Sequence, residues 1–285
     1  MFDRIEALSR NLGWMTADEL ECLRTKRIAI AGLGGVGGSH LLTLTRLGVG
    51  GFRISDFDVF ELANFNRQVG ATVSHLGRSK IDVLAEMALD INPQLEIVRF
   101  PEGIDERNLD AFLSGVDIYI DGLDFFAMDA RERVFAACAS KGIPAITAAP
   151  LGWGVSLLAF MPGGMSFEDY FQMDGCAPLE KLGHFMVGLS PEAIQIGALV
   201  DPTRFDLARQ VGPSTPVGCE LCAGFAAVTA IKILLARGAV DAVPTSVHLD
   251  AFGMEMRRVS RPNGMREPAM QAALAQLIQG NTRGA

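Results

Sequence analysis

The chain has 285 residues, 49% hydrophobic and 20% charged, enough for one large α/β domain or for a domain with a smaller lobe. Its net charge of −8 offers no basic field to neutralise a phosphate backbone, which argues against a nucleic-acid partner. Five scattered cysteines do not make a secreted disulfide framework, and the charged N-terminus (MFDRIEALSR) lacks a signal-peptide core. The most apolar window, Leu221 to Leu235, is broken by Lys232 and reads as too short to span a bilayer, so a cytoplasmic protein with no membrane partner is expected.

In chain order, Arg4 to Arg24 reads as one or two helices, with Thr16 as an N-cap. Arg27 to Ala31 is a short apolar strand, and helical spacing begins at Val36. A second strand spans Phe52 to Ser55. Ser79 caps a helix that runs to about Ile91 and stops at Asn92-Pro93. Leu95 to Phe100 reads as a strand, Glu106 to Leu113 as a helix, and Asp117 to Asp121 as a strand. Ala127 to Ser140 follows as a helix closed by Gly142, then Ile143 to Thr147 as a strand. This alternation predicts a Rossmann-like α/β fold, a mostly parallel sheet with helices on both faces. Gly154 to Met161 reads as a strand, whereas Pro162 to Pro216 has weak periodicity and suggests an irregular inserted lobe. A long helix is expected from about Glu220 to Arg237, then a late antiparallel strand pair at 245–250 and 254–259, and a helix over Glu267 to Gln279. The expected organisation is one domain over 1–285. It comprises an N-terminal helical segment (1–26), a nucleotide-binding core (27–150), a crossover or insert lobe (151–218) and a C-terminal helix with strands (219–285).

The bend after the first strand holds Gly32, Gly34 and Gly37 in G-x-G-x-x-G order, with Gly35 between them. Such a bend brings backbone close to a phosphate and aims the amides of the following helix at the anion. Asp56 ends the second strand, where a carboxylate can accept ribose hydroxyls. Arg67 (in NFNRQ), Lys80 at a helix start and Asp124 (in DGLD) after a strand end should converge on the same crevice, as should Asp121. Cations that neutralise a triphosphate and a carboxylate that holds Mg²⁺ are the needs of nucleotidyl transfer. A nicotinamide- or flavin-dependent oxidoreductase explains the glycines and Asp56 but leaves Arg67, Lys80 and Asp124 without work.

The run GLGGVG, DFDVFELANFNRQ, GRSK, INP and DGLD, in that order, resembles the ThiF/MoeB/ubiquitin-activating-enzyme adenylyltransferases over roughly residues 27–150, and GFAAVTAIKILL at 224–235 is similar to the family's late helix. The resemblance implies ATP and Mg²⁺ as cofactors and adenylation of a carboxylate. Most often that carboxylate is the C-terminal Gly of a small ubiquitin-like or sulfur-carrier protein, and in other relatives that of a peptide terminus or of a modified nucleoside, the RNA substrate being the less attractive for an acidic chain. By position it implies Gly32, Gly34, Gly35 and Gly37 as the phosphate turn, Asp56 at the ribose, Asn64, Arg67 and Lys80 at the phosphates, and Asp124 at the magnesium. Gln68 would shape the site. A homodimer is implied, in which Arg10 reaches the partner's ATP. A non-catalytic subunit of a heterodimeric activator is a further reading.

Phe125 stands where the family usually has Asn, and the stretch from Asp124 to Arg131 is longer than usual. Cys219 and Cys222 form one Cys-x-x-Cys pair, which Cys176 and His184 would complete as a zinc site; the alternatives are buried thiols, or a thiol at Cys176, Cys219 or Cys222 that accepts the activated acyl group. Cys138 reads as core. Phe160 to Met173 reads as a hydrophobic lid or as a partner-binding groove. Asp121 reads as a second magnesium neighbour or as a strand-end cap, and Asp58 as solvated charge.

Overall fold

The computed structural model describes residues 2–206 and 209–282, with side chains as far as Ile278. Two short helices lead in. The Asp3 carboxylate caps α1 (Arg4–Ala7), and Thr16 and Glu19 form a reciprocal capping box at α2 (Ala17–Arg24). The RIAIA run then forms β1 (Arg27–Ala31). Its alternating side chains divide between two cores, Ile28 and Ile30 into one, Ala29 and Ala31 into the other. A strand apolar on both faces belongs at the centre of a covered sheet.

The remaining strands are β2 (Gly51–Ser55), β3 (Glu96–Phe100), β4 (Ile118–Asp121), β5 (Ala145–Leu151), β6 (Gly154–Phe160), β7 (Thr245–Asp250) and β8 (Glu255–Ser260). They form one sheet in the order β3-β2-β1-β4-β5-β6-β7-β8. The first five run parallel; β6, β7 and β8 pair antiparallel. Between β1 and β4 the chain changes direction across the sheet, which opens a crevice at their carboxyl ends.

The connecting helices are α3 (Gly35–Arg46), α4 (Lys80–Ile91), α5 (Leu109–Leu113), α6 (Met128–Lys141), α7 (Phe167–Phe171), α8 (Pro178–Leu189), α9 (Pro216–Leu234) and α10 (Pro268–Thr282). α3, α4 and α9 cover the face that holds Ile28 and Ile30; α5 to α8 cover the other. The fold class is the expected one. Three details differ. The Asp105 amide donates to Asn108 Oδ1 at 2.9 Å and closes a turn, so the helix expected from Glu106 starts only at Leu109. The weakly periodic stretch after Pro162 contains α7 and α8, elements too short and too rich in Gly and Met to show a sustained period. Finally, Thr215 caps α9 and Pro216 begins it, which makes the helix 19 residues long. By length and composition alone it meets the test for a membrane span, contrary to the shorter window expected. It packs on α3, β5 and β6 through Cys222, Ala226, Ala227 and Ala230, as a core helix does.

Phe160, Phe167, Tyr170, Phe171 and Met173 are all buried, which makes that stretch a core-covering lid and not a groove. Phe167 stacks on Phe135 with centroids 4.5 Å apart.

Candidate active site

β1 ends where its backbone meets that of two other segments. Gly32 has φ +81°, and a Cβ there would fall 2.2 Å from the Gly122 carbonyl oxygen. A Cβ on Gly37 would lie 1.8 Å from the Gly32 oxygen, so these glycines are steric requirements. Gly122 was not legible beforehand. It follows Asp121 and touches the turn only because β4 lies beside β1. Gly34 is the N-cap of α3, and no side chain caps the helix. Its first amides and positive end are therefore available to an anion.

Asp56 is buried at the end of β2 and accepts from the Leu33 amide at 2.6 Å and the Asp58 amide at 2.8 Å. Burial raises its pKa, an effect opposed by those two amides and by Lys80. Lys80 is buried at the start of α4 and donates from Nζ to Asp58 at 2.9 Å. Asp58, read as solvated charge, is thus the tether that aims Lys80, and a continuous chain runs Lys80–Asp58–Asp56–Leu33. The Arg67 stem lies 3.5 Å from where a Gly35 Cβ would sit, and its guanidinium donates to the Ala63 carbonyl and to Asn66. Asn64 is buried and accepts from the Glu61 amide at 2.9 Å, which shapes the loop that carries Arg67. Gln68 is buried with its Oε1 unpartnered, and its Nε2 is 3.7 Å from a Gly34 Cβ position. An orphaned carbonyl at a glycine turn marks a place for a ligand donor.

Asp121 and Asp124 differ. Asp121, at the end of β4, is enclosed. Arg131 Nε donates to it at 2.8 Å, Thr147 Oγ1 at 2.9 Å, the Leu123 amide at 3.1 Å and the Tyr119 hydroxyl at 3.3 Å. It is a structural anchor, which settles its two readings in favour of the strand-end role. In the sequence Arg131 is marked only by its spacing from Asp124. Its guanidinium also donates to the carbonyls of Leu123, Asp124 and Phe125 and lies 4.5 Å over the Phe185 ring. It thereby holds the loop on which Asp124 sits. The Asp124 carboxylate is exposed and accepts from the Phe126 amide at 3.0 Å. Phe125, the departure from the expected Asn, packs on Phe126 and Phe185 at 5.1 and 5.4 Å.

The profile of the ThiF family matches residues 8–268. The chain belongs to the ThiF family. It is 31% identical over 144 residues to a tRNA threonylcarbamoyladenosine dehydratase of Bacillus subtilis, covering 50% of this chain and 56% of that protein. To the sulfur carrier protein ThiS adenylyltransferase of Escherichia coli it is 29% identical over 145 residues, 51% of this chain and 57% of that protein. The first curated relatives are thus matched over little more than half their length. A molybdopterin-synthase adenylyltransferase of Haemophilus influenzae matches more widely, 27% identical over 251 residues, 87% of this chain and 90% of that one. In fold the chain is similar to PaaA, with a TM-score of 0.67 at 20% identity, covering 91% of this chain and 76% of that one. It is also similar to E. coli MccB solved with ATP, with a TM-score of 0.64 at 18% identity, covering 92% and 72%.

Two groups of ThiF-family expectations fall outside this corner. Arg10 is exposed on a 3₁₀ turn beside the C-terminal end of α3, where Asn11 donates to the Arg46 carbonyl. The helix's 12 residues put that end about 17 Å from the glycine turn, beyond Arg10's reach within one chain. The four expected zinc ligands do not converge. Cys176 and His184 lie together with Glu180, whereas Cys219 is buried beside Gly35 and Cys222, on the inward side of α9, is packed in the core. Nor is either α9 thiol activated by its helix end, because burial raises both pKa values. Cys138 is core, its thiol pushed up to about 12 by burial.

Proposed function

We propose that this ThiF-family chain is an adenylyltransferase that binds ATP with Mg²⁺, transfers AMP to a carboxylate and releases pyrophosphate. The reading rests on one observation. An uncapped helix N-terminus at a steric glycine turn is flanked by Asp56, Arg67 and Lys80 on one side and by the exposed Asp124 on the other. In this reading Asp56 receives the ribose, the turn and α3 receive the phosphates, and Arg67 and Lys80 offset the charge that builds on the leaving pyrophosphate. Asp124 is a hard oxygen donor with room beside it, which fits Mg²⁺ shared with substrate phosphates. Such an ion supplies charge neutralisation at the α-phosphorus. The substrate carboxylate is already a nucleophile, so the protein's work is positioning and electrostatics.

For the substrate we infer the C-terminal carboxylate of a small ubiquitin-like or sulfur-carrier protein, or of a peptide. Relatives named as adenylyltransferases of ThiS and of molybdopterin synthase support this, as does the net charge of −8, which disfavours RNA. In this reading the protein is a homodimer in which Arg10, exposed and out of reach of its own chain's turn, serves the other copy. ATP–pyrophosphate exchange with candidate carriers tests the reading. Carrier-dependent exchange that is lost in Lys80→Ala and Asp124→Ala is expected. Full exchange in both variants, or saturable NADH fluorescence binding at the turn, defeats it in favour of other site residues or an oxidoreductase.

A further inference from the structure

On the sheet face covered by α5 to α8, Cys176, Glu180 and His184 each present one ligand atom within 4.8 Å of the other two. The spacing is the cause. Glu180 and His184 are four residues apart on one face of α8, and Cys176 precedes the helix by enough to sit over its first turn. His184 is buried, and its Nδ1 lies 2.8 Å from the Phe171 carbonyl. A carbonyl can only accept from Nδ1–H, which in the neutral ring leaves the lone pair on Nε2, facing Cys176 Sγ at 4.0 Å. The turn that carries the cysteine is also held in place. Glu168 accepts from the amides of Met173 and Asp174, both at 3.0 Å, and the Cys176 amide donates to the Met173 carbonyl at 3.1 Å. Glu168 and Glu180 lie near the thiol, as does Glu132, which is paired with Lys181 at 2.6 Å.

We propose that Cys176, Glu180 and His184 form a three-ligand site for a zinc-class divalent ion, with the fourth position open to water. The donor set of thiolate, carboxylate and imidazole with a carbonyl behind the imidazole suits zinc. Tetrahedral bonds to S and N place those atoms about 3.5 Å apart, so the observed 4.0 Å needs a shift of only about half an ångström. The ion ties the 172–177 turn to α8, whose Phe185 lies under Arg131 and against Phe125. The inference is independent of the adenylation reading, because its test is made without nucleotide or carrier.

The experiment is a titration of the full metal-free chain with Co²⁺ followed by absorption, and with Zn²⁺ followed by calorimetry and thermal melting. One equivalent should bind, with a sulfur-to-cobalt charge-transfer band and a Zn²⁺-dependent rise in Tm. Cys176→Ser should remove the band, and Glu180→Gln should weaken binding at least about tenfold. Both positions are outside the fully buried core, so circular dichroism can establish that the variants are folded. Absence of stoichiometric binding overturns the proposal, and so does a band that persists in Cys176→Ser, which would move the ion to Cys219 and Cys222.

Discussion

Asp56 and Asp121 are the same residue in nearly the same place, at the carboxyl ends of the strands on either side of β1, yet their surroundings assign them opposite work. Asp121 is matched by a buried guanidinium, two hydroxyls and an amide, and nothing is left for a ligand. Asp56 has two backbone amides for its charge, and burial still pushes its pKa up. A buried carboxylate with only backbone donors beside a glycine turn is a candidate ligand group. The Asp121 side of the crevice therefore holds the loop geometry, and the Asp56 side is the one to which the proposed function gives the ligand.

Replacing the two residues should separate these roles. Asp121→Ala strands Arg131 in the core and should cost about 3–5 kcal/mol in urea unfolding. Asp56→Asn removes an under-solvated charge but keeps an acceptor for the Leu33 amide. Stability should then change by no more than about 1 kcal/mol, while ATP binding measured by calorimetry falls. Equal destabilisation by both would erase the contrast. Next in size, Lys80→Ala should lower exchange about 100- to 1000-fold, about 3–4 kcal/mol, with little loss of stability.

The pH dependence probes the closed side. His40 lies behind Asp121, fully buried with both ring nitrogens unpartnered, and burial lowers its pKa to about 4; His248 is likewise lowered to about 4. Unfolding lets each imidazole take up a proton between pH 6.5 and 4, so stability should fall as pH falls through that window. Each contributes about 2 kcal/mol between pH 7 and pH 5. Asp56 acts with the opposite sign. Its raised pKa means that the folded state holds its proton to higher pH than the unfolded state does, so its share of stability declines as pH rises. His40→Leu should flatten the acid limb of a stability–pH profile by its share, and an unchanged limb would place the titrating group elsewhere. The smallest effect serves as a control. Thr16→Ala removes a cap remote from both carboxylates and should cost about 1 kcal/mol with exchange unchanged.

Much of this was legible in one dimension. RIAIA followed by spaced glycines specifies strand, turn and helix, because the side-chain period and the absence of Cβ atoms act locally. Asp56, Lys80 and Asp124 lay at element ends that the parallel-sheet pattern marks as facing the crevice. Less visible was every role that depends on a neighbour distant in sequence. The close approach of Gly122 to the turn exists only because β4 lies beside β1, and Asp58 looked like solvent charge until Lys80 folded back on it 22 residues later. The helices after Pro162 were hidden because short elements leave too few residues to establish a period.

The sequence by itself determined the α/β fold, the glycine turn and the set of charged residues available to it, since these follow from local backbone preferences and strand-end position. Tertiary structure alone decided which carboxylate is closed off and which is left open, what holds the Asp124 loop, and that Cys176 meets Glu180 and His184 instead of Cys219 and Cys222. Those outcomes depend on burial and on partners brought together across the sheet, and no local pattern carries that information.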